Sequence, residues 1–180
     1  MAKAGDVLTN PYTETLIFRR TTRDTGGELV EVEAIYRPGG AWPPEHYHPK
    51  QEERFEVTTG TVQVRRNGRI ETYQQGESFV IPAGVPHTFR NASDVAEARV
   101  IWQTRPALKT ERFFETAFGL ARDGKTDEHG VPSLLQALVL ADDYAEEFRL
   151  THPPYPIQRI ARALIAPLGR LLGYRGSYPQ

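Results

Sequence analysis

The chain has 180 residues, a formal net charge of −1 and no cysteine, which excludes disulfides, thiolate metal sites and cysteine nucleophiles. Charged residues make up 25% and apolar residues 39%, the proportions of a globular rather than a disordered chain, and basic residues spread along most of the sequence carry no nucleic-acid footprint. The N-terminal residues lack the apolar core of a secretion signal and no apolar run reaches spanning length, so the expectation is a soluble cytoplasmic protein.

From Glu14 to Pro106 the pattern is that of strands. Val30, Val32, Ala34 and Tyr36 alternate with Glu31 and Glu33, the period of a half-buried strand. Further short strands follow, and Asn67-Gly68 between "VQVRR" and "RIETY" is a hairpin signal. Many short strands punctuated by Gly and Pro predict a sandwich or barrel. After Pro106 the period lengthens. Phe113, Phe114, Ala117, Phe118 and Ala121 share one helical face, with Gly124 as the stop. Residues 131–150 read as a second helix opened by Pro132 and Ser133, and residues 155–176 as a third. In the third, Ile157, Ile160, Ala161, Leu164, Leu168, Leu171 and Leu172 form an apolar stripe, and Pro167 is expected to kink or split it. The expected organisation is a β-barrel over residues 12–106 and a helical extension over 107–180, packing on the barrel or on a partner subunit. The third helix also carries Arg159, Arg162, Arg170 and Arg175 with no acidic residue, a composition that can lie on an anionic membrane surface.

The polar constellation sits in "HYHPKQEERFEVTTG", residues 46–60. His46 and His48 are two apart on an extended segment, so both rings point one way. Glu53 shares the inward parity of Phe55 and Val57, and Glu52 the outward parity of Arg54 and Glu56. A third inward histidine, His87, follows the turn "PAG". Parity alone leaves two readings open, a cluster of hydrogen-bonded core histidines or a metal site of three imidazoles and a carboxylate. His129 and His152 fall in loop-like segments and are read as solvated.

These stretches resemble the two conserved motifs of the cupin superfamily. In the first, Gly40 is followed by five residues, His46-x-His48, four residues, Glu53, six residues and Gly60; in the second, Gly76 by five residues, Pro82-x-Gly84, two residues, His87, three residues and Asn91. The six-residue interval again selects Glu53 over Glu52. The resemblance covers roughly residues 30 to 105 and implies a mainly β fold, a single cupin jelly-roll barrel followed by C-terminal α-helices, commonly a homodimer. It implies one divalent transition metal ion (Fe, Mn, Ni, Co, Cu or Zn) on His46, His48, Glu53 and His87, with Asn91 a structural residue. The family spans many reactions, so the fold sets none. The leading expectation is metal-dependent oxygenation of a small apolar or aromatic molecule, Glu53 doubling as general base. Tyr36, Phe55, Phe79, Phe89 and Trp102 are the pocket candidates, each also readable as barrel core. The alternatives are a non-catalytic ligand-binding or regulatory cupin and an isomerase or lyase using a redox-inert ion.

Overall fold

Alternation dictates the strand faces. Residues Glu52–Thr59 form a strand in which Glu53, Phe55 and Val57 are buried while Glu52, Arg54 and Glu56 are exposed, as period-2 parity requires. A computed structural model of the chain describes residues 1–127 and 129–178. Among these residues the strands are β1 (Val7–Thr9), β2 (Glu14–Arg20), β3 (Val30–Tyr36), β4 (His46–Tyr47), β5 (Glu52–Thr59), β6 (Thr61–Arg66), β7 (Arg69–Gln74), β8 (Ser78–Ile81), β9 (His87–Asn91), β10 (Ala98–Arg105) and β11 (Arg149–Leu150). The helices are α1 (Thr110–Arg122), α2 (Leu134–Asp143) and α3 (Tyr155–Leu171).

The strands build two antiparallel sheets in the orders β1-β2-β3-β10-β5-β8 and β11-β4-β9-β6-β7. Chain-distant neighbours such as β3 with β10 and β4 with β9 give the interleaved connections of a jelly roll. The core lies between the sheets and includes Leu16, Phe18, Val32, Phe55, Val57, Val62, Val64, Ile81 and Val100, each at most 3% exposed. Phe114 and Phe118 of α1 join it, at about 1.5–3 kcal/mol of burial per such side chain.

The hairpin pair and two motif residues have structural explanations. Asn67 and Gly68 have φ of 50° and 74°, the left-handed pair of a type I′ turn between β6 and β7. Gly60 has φ of 79°, and a Cβ there would lie 2.8 Å from the Glu97 carbonyl oxygen. Asn91 is structural, as expected. Its amide nitrogen donates to the carbonyls of Tyr36, Arg37 and Ala96, and its oxygen accepts the Ser93 N–H.

Two features differ from the sequence reading, and a third removes one of its two alternatives. The second helix stops at Asp143, and residues 149–150 become β11, pairing with β4 through Arg149↔Tyr47 and Leu150↔His46. The open edge of β4 supplies hydrogen-bonding partners that override local helix propensity. The third helix runs unbroken through Pro167. Ala163 and Pro167 both face solvent, so water can satisfy the Ala163 carbonyl that proline leaves without an intrahelical donor. The stripe of α3 does not pack on the barrel, since Ile157, Ile160, Leu164, Leu168, Leu171 and Leu172 are exposed. Instead Ala166 and Gly169 are buried, with Gly169 against Val139 and Leu135 of α2.

Candidate metal centre

The three histidines converge from two neighbouring strands. His46 in β4 is paired with His87 at the start of β9, and His48 follows β4 directly. Ring centroids are 4.5 Å apart for His46 and His87, 5.1 Å for His46 and His48, and 5.4 Å for His48 and His87. Each Nδ1 faces a backbone carbonyl: His46 that of Pro44 at 3.1 Å, His87 that of Val85 at 3.0 Å, and His48 that of Glu147 at 2.6 Å. A carbonyl oxygen only accepts, so each Nδ1 carries the hydrogen and each neutral ring keeps its lone pair on Nε2. Carbonyl-fixed rings of this tautomer are what metal-ligating histidines require. One ligand nitrogen from each ring can be chosen so that all lie within 4.8 Å of one another.

Glu53 enters from the opposite sheet and is 1% exposed. Its Oε1 lies 3.2 Å from His48 Nε2 and its Oε2 3.0 Å from His87 Nε2, while Trp102 Nε1–H donates to Oε1 at 3.0 Å. It stands against His48 and His87, outside the mutually close trio. His48 Nε2 and Glu53 Oε2 are buried without a properly aligned hydrogen bond. A buried carboxylate against nitrogen lone pairs requires a positive charge between them, either a proton on an imidazole or a metal ion. The donor set fits a borderline divalent cation.

Electrostatics agree. Burial raises the Glu53 pKa, but the charge of His48 and the contacts with His48 and His87 outweigh it and hold the carboxyl well below its usual range. His46 is pushed down to about 3, by burial first and then by the other two histidines, so it stays neutral and able to ligate. Burial lowers the pKa of His48, yet the Glu53 charge and its hydrogen-bond partners lift it overall.

The aromatic candidates divide. Phe55 and Phe79 are buried and stacked 4.9 Å apart as barrel core. Tyr36, Phe89 and Trp102 are half-buried around them, and of the five only Trp102 bonds to a site residue. His129 and His152 are exposed and do not belong to the trio.

Residues 32–104 match the family model described as "Cupin domain". The barrel thus carries a cupin domain, with the C-terminal helices outside the matched residues. Its barrel resembles KdgF from Halomonas sp. (19% identity, 59% of this chain and 90% of that one, TM-score 0.51). It also resembles an RmlC-like cupin from Shewanella frigidimarina (19% identity, 62% and 92%, TM-score 0.51). Both likenesses show the fold alone. Among curated proteins, "Probable oxidoreductase virH" of Hypocrea virens is 29% identical over 91% of this chain and 81% of its own length. Protein SchB of Streptomyces halstedii is 40% identical over 41% of this chain and 51% of its own. "Probable oxidoreductase patJ" of Aspergillus clavatus is 27% identical over 79% of this chain and 48% of its own. The chain thus spans about half the length of SchB and patJ.

Beyond the barrel this cupin closes its site with the extension, which sequence reasoning did not foresee in residue terms. The Phe148 ring packs 4.8 Å from His46, and Phe113 of α1 stacks 5.6 Å behind it. Glu147, besides its carbonyl on His48, accepts the Lys109 N–H at the start of α1 with its carboxylate, where the helix dipole favours an anion. No spacing rule joins residues 99 positions apart. Phe148 itself gave no signal, because it fell inside the stretch read as the second helix, which in the structure ends at Asp143.

Proposed function

We propose that this cupin binds one divalent transition metal ion through His46, His48, His87 and Glu53 and uses it to oxidise a small organic molecule with dioxygen. The observation that carries the reading is the convergence of three carbonyl-fixed imidazoles on a buried carboxylate that lacks a full set of hydrogen-bond partners. The names of virH and patJ support oxidation over a redox-neutral reaction. When bound, Fe, Mn, Ni or Cu supplies Lewis acidity and a centre that exchanges electrons with dioxygen.

The chain's own groups do the rest. The Pro44, Glu147 and Val85 carbonyls hold the rings in one tautomer. Trp102 fixes Glu53 Oε1, and Oε2, once it leaves the ion, can take a proton from an acidic substrate position. Phe148 and Phe113 close the entrance against water. The half-buried rings of Tyr36, Phe89 and Trp102 favour a flat, mainly apolar substrate, with Phe55 and Phe79 packed behind them. An enolic or aromatic polyketide has that chemistry, and the relative from Streptomyces cyaneus is named "Polyketide synthase CurC". A cytoplasmic homodimer formed through the barrel completes the proposal.

The test is metal analysis of freshly purified protein, then dioxygen consumption by Fe- or Mn-loaded protein across enols and catechols. Turnover that stops anaerobically supports the proposal. Tight small-molecule binding without turnover on any metal makes the protein a ligand-binding cupin. Zn as isolated, with activity retained anaerobically, makes it a lyase or isomerase.

A further inference from the structure

A cavity of about 290 Å³ lies outside the barrel, where three parts of the extension meet. Lys109 and Arg112 line it from the start of α1, Asp143 from the end of α2, and Arg170, Arg175 and Ser177 from the end of α3 and the turn beyond it. Hydrogen bonds hold that turn in place. Tyr144 donates its hydroxyl to the Gly176 carbonyl at 2.6 Å, and Gln136 its amide to the Arg175 carbonyl at 2.7 Å. A Cβ at Gly176 would collide with the Asp143 carboxylate, so glycine is what lets the turn approach α2 this closely.

Among the described residues, four cations line this cavity against one carboxylate. That carboxylate is already engaged: Asp143 Oδ1 and Asp142 Oδ2 both accept from Arg170, each at 2.7 Å. Lys109 Nζ donates to the Asp143 carbonyl at 3.0 Å and Arg175 Nη1 to the Arg170 carbonyl at 3.3 Å, an ordinary use of cations at helix C-termini. Both keep further donors free. Capping does not account for Arg112. Its guanidinium makes no hydrogen bond or ion pair among the described residues, so all of its donors are free. It stands three positions after Lys109, the spacing of neighbours on one helix face. Like charges gathered around one small space repel each other, and a bound anion removes that cost.

We infer that this cavity binds the dianionic phosphate group of a small molecule through Arg112, Arg175 and Lys109. A guanidinium fork matches the oxygens of a phosphate, and an ammonium serves it as a point charge. The volume is at the small end of ligand sites, which run from about 300 to 1,000 Å³, so the ligand is free phosphate or a short phosphate monoester. Lys109 also donates its N–H to the Glu147 carboxylate at 3.1 Å, and the Glu147 carbonyl accepts from His48. The anion site thus lies directly behind the residue that orients one imidazole of the metal centre. Its existence does not depend on what that centre does.

Calorimetric titration of the full chain with inorganic phosphate, glycerol phosphate and acetate, at constant ionic strength, tests this. The protein is first stripped with a chelator, because a bound metal ion would itself take phosphate. One phosphate per chain is expected, with Kd below about 1 mM, and His87→Ala should bind it as the wild type does. Arg112→Gln and Arg175→Gln are each expected to weaken binding at least about tenfold. Arg159→Gln, an exposed arginine of α3 that does not line the cavity, should leave it unchanged. Arg112 and Arg175 are exposed, so unchanged melting temperature and circular dichroism confirm that the variants fold. Tighter binding of the ester than of free phosphate identifies a monoester as the ligand, and the reverse order identifies phosphate; either supports the site. Absence of binding, acetate binding as tight as phosphate, binding that survives both cavity variants, an equal loss in Arg159→Gln, or loss in His87→Ala would overturn the inference.

Discussion

His48 Nδ1 donates to the backbone carbonyl of Glu147, 99 residues further along the chain, at 2.6 Å. The bond makes the helical extension part of the candidate metal centre. It fixes the tautomer of one imidazole from outside the barrel, while β11 covers the edge of β4 and Phe148 covers His46. A barrel stripped of its extension would keep every residue of both cupin motifs and lose the partner that orients His48.

Removing one imidazole tests the ligand set directly. His87 is 2% exposed and has Glu53 Oε2 3.0 Å from its Nε2. His87→Ala is expected to lower metal affinity by more than the 10- to 100-fold typical of losing an outer partner alone. The barrel should still fold, at a cost of about 1–3 kcal/mol. Elemental analysis beside circular dichroism checks both, and full metal content in the variant would remove His87 from the ligand set.

Trp102 offers a separation of packing from polarity. Its ring stacks on Phe55 at 5.5 Å and meets Phe114 at 5.1 Å, while its N–H serves Glu53. Trp102→Phe keeps an aromatic ring and removes the donor. Chelator competition is expected to show metal affinity about 10- to 100-fold weaker, with a much smaller change in denaturation midpoint. Unchanged affinity would reduce Trp102 to barrel core.

Much of this was legible in the sequence because it depends on local rules. Period-2 parity separates Glu53 from Glu52 whatever the rest of the chain does. Asn67-Gly68 selects its turn through backbone conformation alone. What was not legible depends on partners distant in sequence. Residues 144–150 leave the helical pattern because β4 offers an edge and His46 a ring. A stripe on α3 is visible as a period, but the direction it faces is set by Asp142, Asp143 and the close approach at Gly169, and periodicity contains no information about either.

Phe148 is expected to act as a cover rather than as a support for the metal. It touches the His46 ring and Phe113, yet donates no hydrogen bond to a candidate ligand among the described residues. Phe148→Ala should cost about 1–3 kcal/mol for a half-buried ring, leave metal content near wild type and admit bulkier substrates. Metal loss as large as that of His46→Ala would show instead that the ring holds the ligand in place.

Acid stability has a defined contributor away from the site. Arg66 forks onto Glu71, with Nε 2.7 Å from Oε1, and Tyr73 donates its hydroxyl to Oε2 at 2.7 Å. The Arg66 hydrogen bonds and then Tyr73 hold the Glu71 carboxyl down to about 2. A depressed carboxylate pKa means that the unfolded chain takes up its proton first as pH falls. The stabilisation is therefore complete above the ordinary Glu value of about 4.3 and disappears as pH drops through about 2. Glu71 is 37% exposed, so solvent screening limits the contribution to about 1 kcal/mol or less. Urea denaturation of wild type and Glu71→Gln should show a gap of that size at pH 7, which narrows steadily below the ordinary Glu value. A gap independent of pH would mean that the Arg66–Glu71–Tyr73 cluster stabilises through packing and not through charge.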